Sequence, residues 1–341
     1  MALKTELMIN IAIVGYGYWG PNLVRNFNAI GGCSVKWVSD LRQDRLTALS
    51  RLYPNIKTTS DIEDLYNDDD LSAIVIATPV HTHFDMAKRA LESGKHVLLE
   101  KPMTGSVAEA EELITIAEGS NRVLMVDHTF LYTGAVQKIK SLIDGQALGK
   151  LQYFDSTRIN LGLIQSDVNV LWDLAPHDLS ILFHLYPENP YSVQARGISH
   201  TGNGIENIAY LTINYASDFI AHFNCSWSSP VKLRNILIGG DKKMVLFDDI
   251  EPAEKVKIYD KGFEVKNEED KRKLLVNYRS GDIFLPNIPN TEALFTMALD
   301  FIAAITEGKQ PVADSKTGLQ VVKVLEAAQQ SIKEKGKEVM L

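Results

Sequence analysis

An Asp-x-x-x-His motif, formed by Asp173 and His177, has the residue types for proton transfer from an alcohol. A neutral imidazole has an ordinary pKa of about 6.5, so at neutral pH it can accept a hydroxyl proton while a carboxylate orients the ring. Pro176 favours the first turn of a helix, which predicts a helix from about Pro176 to Leu185 with His177 near its start. Asp178 is an alternative carboxylate for His177. An acidic helix cap beside a structural histidine is the alternative to catalysis.

A lysine suited to the same chemistry lies in Glu100-Lys101-Pro102, directly after the apolar segment Val97–Leu99. That segment predicts a buried strand, and open α/β sheets bind ligands at the carboxyl ends of their strands. Lys101 at such an edge can hydrogen-bond a substrate hydroxyl and stabilise a developing alkoxide. A surface Lys–Glu ion pair is the alternative interpretation.

Another predicted strand, Ala73–Ala77, is followed by Thr78 and Pro79. If the chain binds a nicotinamide dinucleotide, as the glycine motif described next predicts, Thr78 can hydrogen-bond its nicotinamide ribose or a phosphate. We assign Pro79 and His83 to the surface that binds this cofactor. The spacing of His81 and His83 resembles a metal site, but no cysteine or acidic cluster accompanies them. We therefore predict no metal.

The main nucleotide signal is a G-x-G-x-x-G motif, Gly15–Gly20, between a predicted strand and a predicted helix. Its first glycine permits a tight turn, its second lets the backbone approach a pyrophosphate, and its third packs the helix on the strand. Asp40 ends the next predicted strand, where a carboxylate binds ribose hydroxyls and repels a 2′-phosphate, so NAD is favoured over NADP. Arg42 weakens this preference, because a guanidinium nearby can accommodate a phosphate. A glycine turn beside a solvated aspartate is the alternative to a nucleotide site. The residues assigned to the cofactor here are Gly15, Gly17, Tyr18, Trp19, Gly20 and Asp40.

The first third of the chain alternates between short apolar runs and segments with helical periodicity. This alternation predicts an α/β domain with a doubly wound parallel sheet. The predicted strands are 8–14, 35–39, 73–77, 97–99 and 123–126, and the predicted helices are 19–30, 44–52, 82–92 and 107–118.

The second part of the chain predicts an α+β domain on a largely antiparallel, open sheet. Its segments alternate apolar and polar residues, as in Ala209–Tyr215, and turn signals separate them. We therefore place an NAD-binding Rossmann domain at 1–128 and a substrate-binding and oligomerisation domain at 129–341, whose last helices can pack back on the first domain. The predicted strands are 151–160, 190–199, 206–214, 219–227, 233–239 and 243–248, the predicted helices are 134–144, 176–185, 291–306 and 315–335, and 251–273 is predicted to be an exposed hairpin or loop.

Composition and charge limit the class of protein. The 341 residues are 45% hydrophobic and 23% charged, which is typical of a globular chain of about two domains. The formal charge of −8 gives no basic surface for nucleic acid, and no apolar run approaches the roughly 20 residues that span a bilayer. Met1–Glu6 lacks a secretory-signal pattern, and Cys33 and Cys225 indicate neither a disulfide framework nor a zinc site. We expect a cytoplasmic protein.

Together these motifs resemble the glucose–fructose oxidoreductase / inositol dehydrogenase (Gfo/Idh/MocA) family. The markers GYGYWG, ATPVHTH, GKHVLLEKP and Asp-x-x-x-His occur in the family's order, and the resemblance covers essentially the whole chain. It implies a Rossmann domain and a second domain whose open sheet makes oligomer contacts, hence a homodimer or homotetramer. It also implies that Lys101 is the catalytic lysine and that Glu100 contacts the nicotinamide ribose. By the same resemblance, His177 transfers the proton and Asp173 is its partner.

The stretches HTFLY, STRINLG, SDVNVLWDLAPHD and KIYDKG are similar to a subgroup that acts on nucleotide sugars. This implies oxidation of a UDP-N-acetylhexosamine, or its uronate, at C3 in cell-surface polysaccharide biosynthesis. The alternatives are an inositol or free-sugar dehydrogenase, a keto-sugar nucleotide reductase and a non-catalytic regulator that senses the cofactor. This chain departs from the family pattern at two places. Many members have glycines where it has Asn169–Trp172, and many have an asparagine motif where it has Asp127–Tyr132. The second departure leaves the substrate contacts of 127–132 undetermined by the resemblance. The residues assigned to the substrate are His128, Arg158, Asn160, Asp167, Asn169 and His177.

Overall fold

The computed structural model describes residues 8–162, 164–264 and 277–341. The described residues divide into two units, one within Met1–Tyr132 and Thr291–Lys323 and the other within Thr133–Asn290 and Val324–Leu341. Up to Tyr132 the elements are β1 (Ile9–Val14), α1 (Gly20–Asn28), β2 (Cys33–Ser39), α2 (Gln43–Leu52), β3 (Lys57–Thr59), α3 (Glu63–Tyr66), β4 (Ala73–Ile76), α4 (His83–Glu92), β5 (His96–Leu99), α5 (Val107–Ser120) and β6 (Leu124–Val126), with 3₁₀ turns at Val80–Thr82 and Thr129–Tyr132.

The remaining elements begin after Thr133. They are α6 (Gly134–Asp144), β7 (Leu151–Leu161), α7 (Val170–Leu185), β8 (Ser192–Ile198), β9 (Ile208–Asn214), β10 (Ile220–Ser226), β11 (Ser228–Gly240), β12 (Met244–Asp248), β13 (Val256–Glu264), β14 (Asn277–Phe284), α8 (Ala293–Glu307), α9 (Ser315–Lys333) and β15 (Val339–Met340). Part of the predicted hairpin or loop at 251–273 is therefore strand β13, and its residues 265–273 lie outside the described residues.

The sheet of the first unit is parallel and, among the described residues, has six strands in the order β3-β2-β1-β4-β5-β6. Its central strands are apolar runs because both faces are covered; in β1, for example, Ile11, Ala12 and Ile13 are fully buried. The predicted doubly wound sheet is confirmed. The strand order changes direction between β1 and β4, which is where such sheets bind ligands beyond the carboxyl ends of their strands.

The chain returns to this unit after residue 290 and extends its sheet. The N–H of Val126 donates to the carbonyl of Ala313 over 3.1 Å, and Met125 and Asp314 form an antiparallel bridge. Helix α8 of the same segment packs on α1, where the rings of Phe27 and Phe301 meet edge to face. The returning segment thereby covers the open edge of β6.

The second unit is built on a mixed sheet of nine described strands in the order β14-β13-β12-β11-β7-β10-β9-β8-β15. Only β7 and β10 pair in parallel among them, so the predicted α+β domain with a largely antiparallel sheet is confirmed. Helix α7 packs against β7, β9 and β10 and buries an almost wholly apolar face, since Leu179, Leu182 and Ile181 are at most 1% exposed.

The structure corrects the prediction that Pro176 lies in the first turn of its helix. Helix α7 begins at Val170, because the side chain of Asn169 accepts hydrogen bonds from the N–H groups of Leu171 and Trp172 and so caps the helix there. Pro176 lies inside the helix, where it removes one backbone donor without ending it. The sequence analysis also missed β3, α3 and β15, which are too short for periodicity to reveal. It missed β14 and the first residues of β11 as well.

Candidate active site

The connection from β1 into α1 can accommodate only glycine at two positions. Gly15 has a φ of +95°, and a Cβ there would lie 2.3 Å from the carbonyl oxygen of Ala77. A Cβ on Gly20 would lie 2.6 Å from the carbonyl oxygen of Gly15. The loop therefore folds tightly against β4 and leads directly into α1, the cradle that a pyrophosphate requires.

The carboxylate of Asp40 is fixed just beyond β2, next to this loop. It accepts hydrogen bonds from the N–H groups of Tyr16 (2.7 Å) and Arg42 (2.8 Å) and from the Arg45 guanidinium (3.1 Å). Burial alone would raise the pKa of Asp40, but these donors outweigh it and hold the pKa below its usual value. Asp40 is thus an ionised acceptor at neutral pH.

A cavity of about 640 Å³ opens between these features within the first unit. Tyr18 and Trp19, whose rings meet edge to face, are exposed at its wall. A glycine cradle beside an ionised carboxylate fits the pyrophosphate and adenine ribose of NAD. Other residues at the wall include Gly15, Gly17, Asp40, Arg42, Arg45, Thr78, Pro79 and Met86.

His83 connects the loop after β4 with the loop after β5. Its Nε2 lies 2.8 Å from the carbonyl oxygen of Thr78, and its Nδ1 lies 3.0 Å from that of Pro102. The ring is 1% exposed, and burial lowers its pKa. His83 was predicted to touch the cofactor, but its polar atoms face the protein interior, so here it holds two loops together. Its neighbour Pro102 follows Lys101 through a cis peptide bond.

Four titratable residues follow β5 and β6 at the same sheet edge. Leu99 and Val126 are paired in parallel register, so Glu100 and Asp127 leave neighbouring strand ends. Burial first, and then the charge of Asp127, raise the pKa of Glu100, although Lys101 opposes this. Burial likewise raises the pKa of Asp127, which accepts hydrogen bonds from the N–H and hydroxyl of its neighbour Thr129.

His128 completes this cluster. It is 1% exposed, and neither ring nitrogen has a hydrogen-bond partner among the residues that the structure describes. Burial and the nearby Lys101 charge lower its pKa to about 3, so the ring is neutral at physiological pH. Buried polar side chains normally have a hydrogen-bond partner, so His128 is an exception among the described residues at this sheet edge.

In the second unit, α7 carries Asp173 and His177 one turn apart on one face. The Asp173 carboxylate accepts a hydrogen bond of 3.0 Å from the indole Nε1 of Trp227. Asp178 points elsewhere, because it forms a buried ion pair of 2.6 Å with Arg158 on β7 and accepts a hydrogen bond from Ser156. Of the two carboxylates considered for His177, the helix favours Asp173.

The residues predicted to bind the substrate are therefore used in different ways. Arg158 is 4% exposed and its guanidinium is taken up by Asp178, which leaves it little capacity for a ligand. Asn169 caps α7, and its amide donates to Glu206 and to Gln329. Asn160, near the end of β7, is partly exposed and Asp167 is exposed, so both remain open to a ligand.

Sequence reasoning missed Arg45 and Trp227. Arg45 lies five residues after Asp40 on the first turn of α2, a spacing that could have suggested the contact. Trp227 is far from Asp173 in sequence, and only the packing of α7 against the sheet brings the two together. No motif points to such a long-range bond.

Neither a metal site nor a membrane span is evident in the described ranges. No three His, Cys, Asp or Glu side chains among those residues are grouped closely enough to hold a metal ion. No helix found there combines the length and apolar character needed to cross a bilayer.

The parallel sheet with its glycine cradle and buried carboxylate defines a dinucleotide-binding protein. Residues 9–128 match the model of the oxidoreductase family with an NAD-binding Rossmann fold, and residues 136–246 match the GFO/IDH/MocA C-terminal domain. The chain belongs to the Gfo/Idh/MocA family of oxidoreductases. Like its family, it is an NAD-binding enzyme.

Similar proteins include both uncharacterised and characterised oxidoreductases. The chain is 31% identical to the uncharacterised oxidoreductase YdgJ of Escherichia coli over 52% of its own length and 54% of that protein, so this match spans about half of the relative. It is 24% identical to the scyllo-inositol 2-dehydrogenase (NADP⁺) IolW of Bacillus subtilis, over 96% and 94% of the two chains. The crystal structure of UDP-N-acetylglucosamine 3-dehydrogenase GnnA from Acidithiobacillus ferrooxidans superposes with a TM-score of 0.79 at 21% identity, covering 96% and 98%. This likeness concerns the fold.

Proposed function

We propose that the protein transfers a hydride between NAD and a secondary alcohol of a sugar. The observation that carries this proposal is the placement of Lys101 at the sheet edge that also forms the cofactor cavity. His83 ties Pro102, the residue after Lys101, to Thr78 at the cavity wall. When bound, NAD supplies the hydride acceptor.

Lys101 and His177 have separate tasks in this proposal. The Lys101 ammonium binds the reacting oxygen and stabilises its developing negative charge. The imidazole of His177 accepts the hydroxyl proton, and Asp173, one turn earlier on α7, orients the ring. We assign the nitrogens of His128, which have no hydrogen-bond partner among the described residues, to the nicotinamide or the substrate.

For the substrate we propose a UDP-N-acetylhexosamine, or its uronate, oxidised at C3. The stretches that resemble the nucleotide-sugar subgroup support this choice, and the fold shared with GnnA is compatible with it. A free polyol is the second candidate, favoured by the near full-length similarity to the scyllo-inositol dehydrogenase IolW. Reduction of a keto-sugar nucleotide uses the same residues in the opposite direction.

A substrate panel tests these assignments by following reduced nicotinamide at its absorbance band. NADH that forms with UDP-sugars but not with inositols or free sugars supports the nucleotide-sugar proposal. Turnover of a free polyol alone replaces it with the second candidate. If no member of the panel is turned over in either direction while NAD binds, both substrate proposals are wrong.

Substitution of Lys101 tests the lysine separately. Lys101→Ala should reduce kcat by at least about a thousandfold and leave the dissociation constant of NAD within about threefold, because the charge acts in the transition state. Lys57→Ala removes an exposed lysine of the same unit and should leave both constants unchanged. Turnover retained in Lys101→Ala would exclude Lys101 from the reaction.

A further inference from the structure

A second cavity, of about 390 Å³, lies in the first unit at the ends of the strands opposite to the cofactor loop. The cofactor loop follows the carboxyl ends of the strands, whereas this cavity lies at their amino ends. Ile9 begins β1, Ser72 immediately precedes β4 and His96 begins β5. The cavity is thus separate from the proposed active site. Arg122, Gly94, Ile305 and Thr306 complete its wall.

Arg122 gives this cavity a positive charge that no carboxylate among the described wall residues balances. The described residues at the wall include no aspartate or glutamate, and Arg122 takes part in none of the ion pairs found in that part of the chain. Its Nε is buried and, among those residues, has no hydrogen-bond partner. The terminal nitrogen Nη2 lies 3.7 Å from the position that a Cβ on Gly94 would take, also at the cavity wall, so an anion in the cavity can pair with this guanidinium.

His96 adds a second donor beside Arg122. Its Nδ1 accepts a hydrogen bond of 2.9 Å from the N–H of Val123, which requires that nitrogen to be unprotonated. Burial, and then the charge of Arg122, lower the pKa of His96 to about 4, so the ring is neutral at pH 7. The proton of the neutral ring therefore lies on Nε2, which can only donate.

The backbone holds these side chains in a fixed frame. The N–H of His96 donates to the carbonyl of Ser72 (3.0 Å), and that of Ser72 donates to the carbonyl of Asn10 (2.8 Å). The N–H of Arg122 donates to the carbonyl of Ala117 in the last turn of α5 (2.9 Å). The main chain at both donor residues is therefore fixed before a ligand binds, which lowers the cost of ordering the site.

We propose that this cavity binds a small organic anion through its carboxylate or phosphate oxygens. The Arg122 guanidinium supplies the charge and a planar pair of donors, and Nε2 of His96 supplies a further N–H. The volume lies in the range of about 300–1,000 Å³ typical of small-molecule sites, so a phosphorylated or carboxylated metabolite fits better than a bare ion. The site depends on neither the cofactor nor the proposed reaction.

Calorimetric titration of the full-length protein tests the proposal with two probes, inorganic phosphate and malonate. NAD is kept saturating, so that phosphate cannot occupy the glycine cradle, and ionic strength is held constant with chloride. We expect saturable binding of one anion per chain, weakened at least tenfold in Arg122→Gln. Arg51→Gln, which removes an exposed arginine elsewhere in the same unit, should bind as the parent does. The stronger of the two probes identifies phosphate or carboxylate as the preferred group.

Arg122→Lys keeps the proposal testable if Arg122→Gln does not fold. It retains the charge but loses the planar donors, and we expect affinity to fall severalfold. Equal binding by the parent and either variant would overturn the proposal, as would the absence of saturable binding. Arg122 would then only stabilise the carboxyl end of α8 through the helix dipole, since Ile305 and Thr306 of that helix share the cavity wall.

Discussion

The indole Nε1 of Trp227 donates to Oδ2 of Asp173 over 3.0 Å and so connects the sheet of the second unit with the first turn of α7. Trp227 is 2% exposed, and its backbone N–H donates to the carbonyl of Asn207. Burial and this backbone bond leave the indole little freedom. The bond fixes one oxygen of the carboxylate that lies one helical turn from His177. Trp227 is therefore a positioning residue for the proposed proton transfer.

Trp227→Phe should preserve the packing of the ring and remove only its donor. We expect kcat to fall about tenfold, a loss of about 1.4 kcal/mol in transition-state stabilisation, because Asp173 no longer orients His177 firmly. The KM for NAD should not change, since the cofactor cavity lies within the first unit. Steady-state kinetics with the active substrate measures both constants.

Trp37→Phe is the matched control for that experiment. The Trp37 indole also donates to a carboxylate, that of Asp68, over 2.7 Å. Trp37 lies in β2 and has no part in the proposed proton transfer. Both variants should lose about 1.5–3 kcal/mol of stability, the ordinary value of a hydrogen bond to a charged group. A similar loss of kcat in both would show that Trp227 acts through stability alone.

Gly15→Ala should abolish NAD binding. Its new Cβ would overlap the carbonyl oxygen of Ala77, and alanine strongly disfavours a φ of +95°, so the cradle must open. Fluorescence titration with NADH should show affinity reduced more than a hundredfold. Gly119→Ala lies in α5, where an added Cβ meets open space, and should instead stabilise the protein by about 0.5–1 kcal/mol. Unimpaired binding by Gly15→Ala would locate the cofactor elsewhere.

Asp40→Ser should shift cofactor preference toward NADP. The ionised carboxylate repels a 2′-phosphate, and its removal leaves Arg42 and Arg45 at the cavity wall to attract one. We expect the ratio of kcat/KM for NADP to that for NAD to rise at least tenfold. Asp85→Ser removes an exposed carboxylate of α4 and should leave the ratio unchanged. An unaltered ratio in Asp40→Ser would mean that Asp40 does not discriminate between the cofactors.

The carboxyls of Glu100 and Asp127 should make stability depend on pH. Burial raises the pKa of Glu100 to about 8 and that of Asp127 to about 6. The native state therefore binds more protons than the unfolded chain, whose carboxyls titrate near pH 4, so stability falls as pH rises from about 4 to 8. Asp127→Asn removes one charge and should be more stable relative to the parent at pH 8 than at pH 5, by about 1 kcal/mol.

Urea unfolding at the two pH values measures this difference. Asparagine can still accept the hydrogen bond from the Thr129 N–H, so the local turn should survive. Glu118→Gln, an exposed residue of α5, is the control and should show no pH-dependent difference. Parallel pH profiles for the parent and Asp127→Asn would contradict a raised pKa of Asp127 in the native state.

Periodicity predicted the fold well where burial determines the residue pattern. The strands around β1 are apolar on both faces and the helices between them are amphipathic, so most of their bounds follow from sequence within two residues. The start of α7 did not follow, because Pro176 is a familiar first-turn residue and the cap at Asn169 lies in a polar stretch without periodicity. Local preference was outweighed there by a capping bond and by packing on the sheet.

The candidate site divides in a similar way. The cofactor cradle is local in sequence, so the motif and Asp40 could be placed beforehand. Arg158 and Asp178 could not, because a lone arginine in a strand suggests a ligand contact until the fold brings an aspartate against it. Burial then makes their pairing obligatory, since an unpaired charge in the interior is costly.

The bonds that join Val126 to Ala313, and Met125 to Asp314, also affect how the protein is made. The ribosome releases β6 long before it releases the segment that covers the edge of that strand. A nascent or truncated chain ending before Ala313 therefore exposes an unpaired edge, which invites pairing with other chains. Expression of residues 1–128 alone would yield an incomplete sheet, whereas a fusion that supplies 291–323 would restore its missing border.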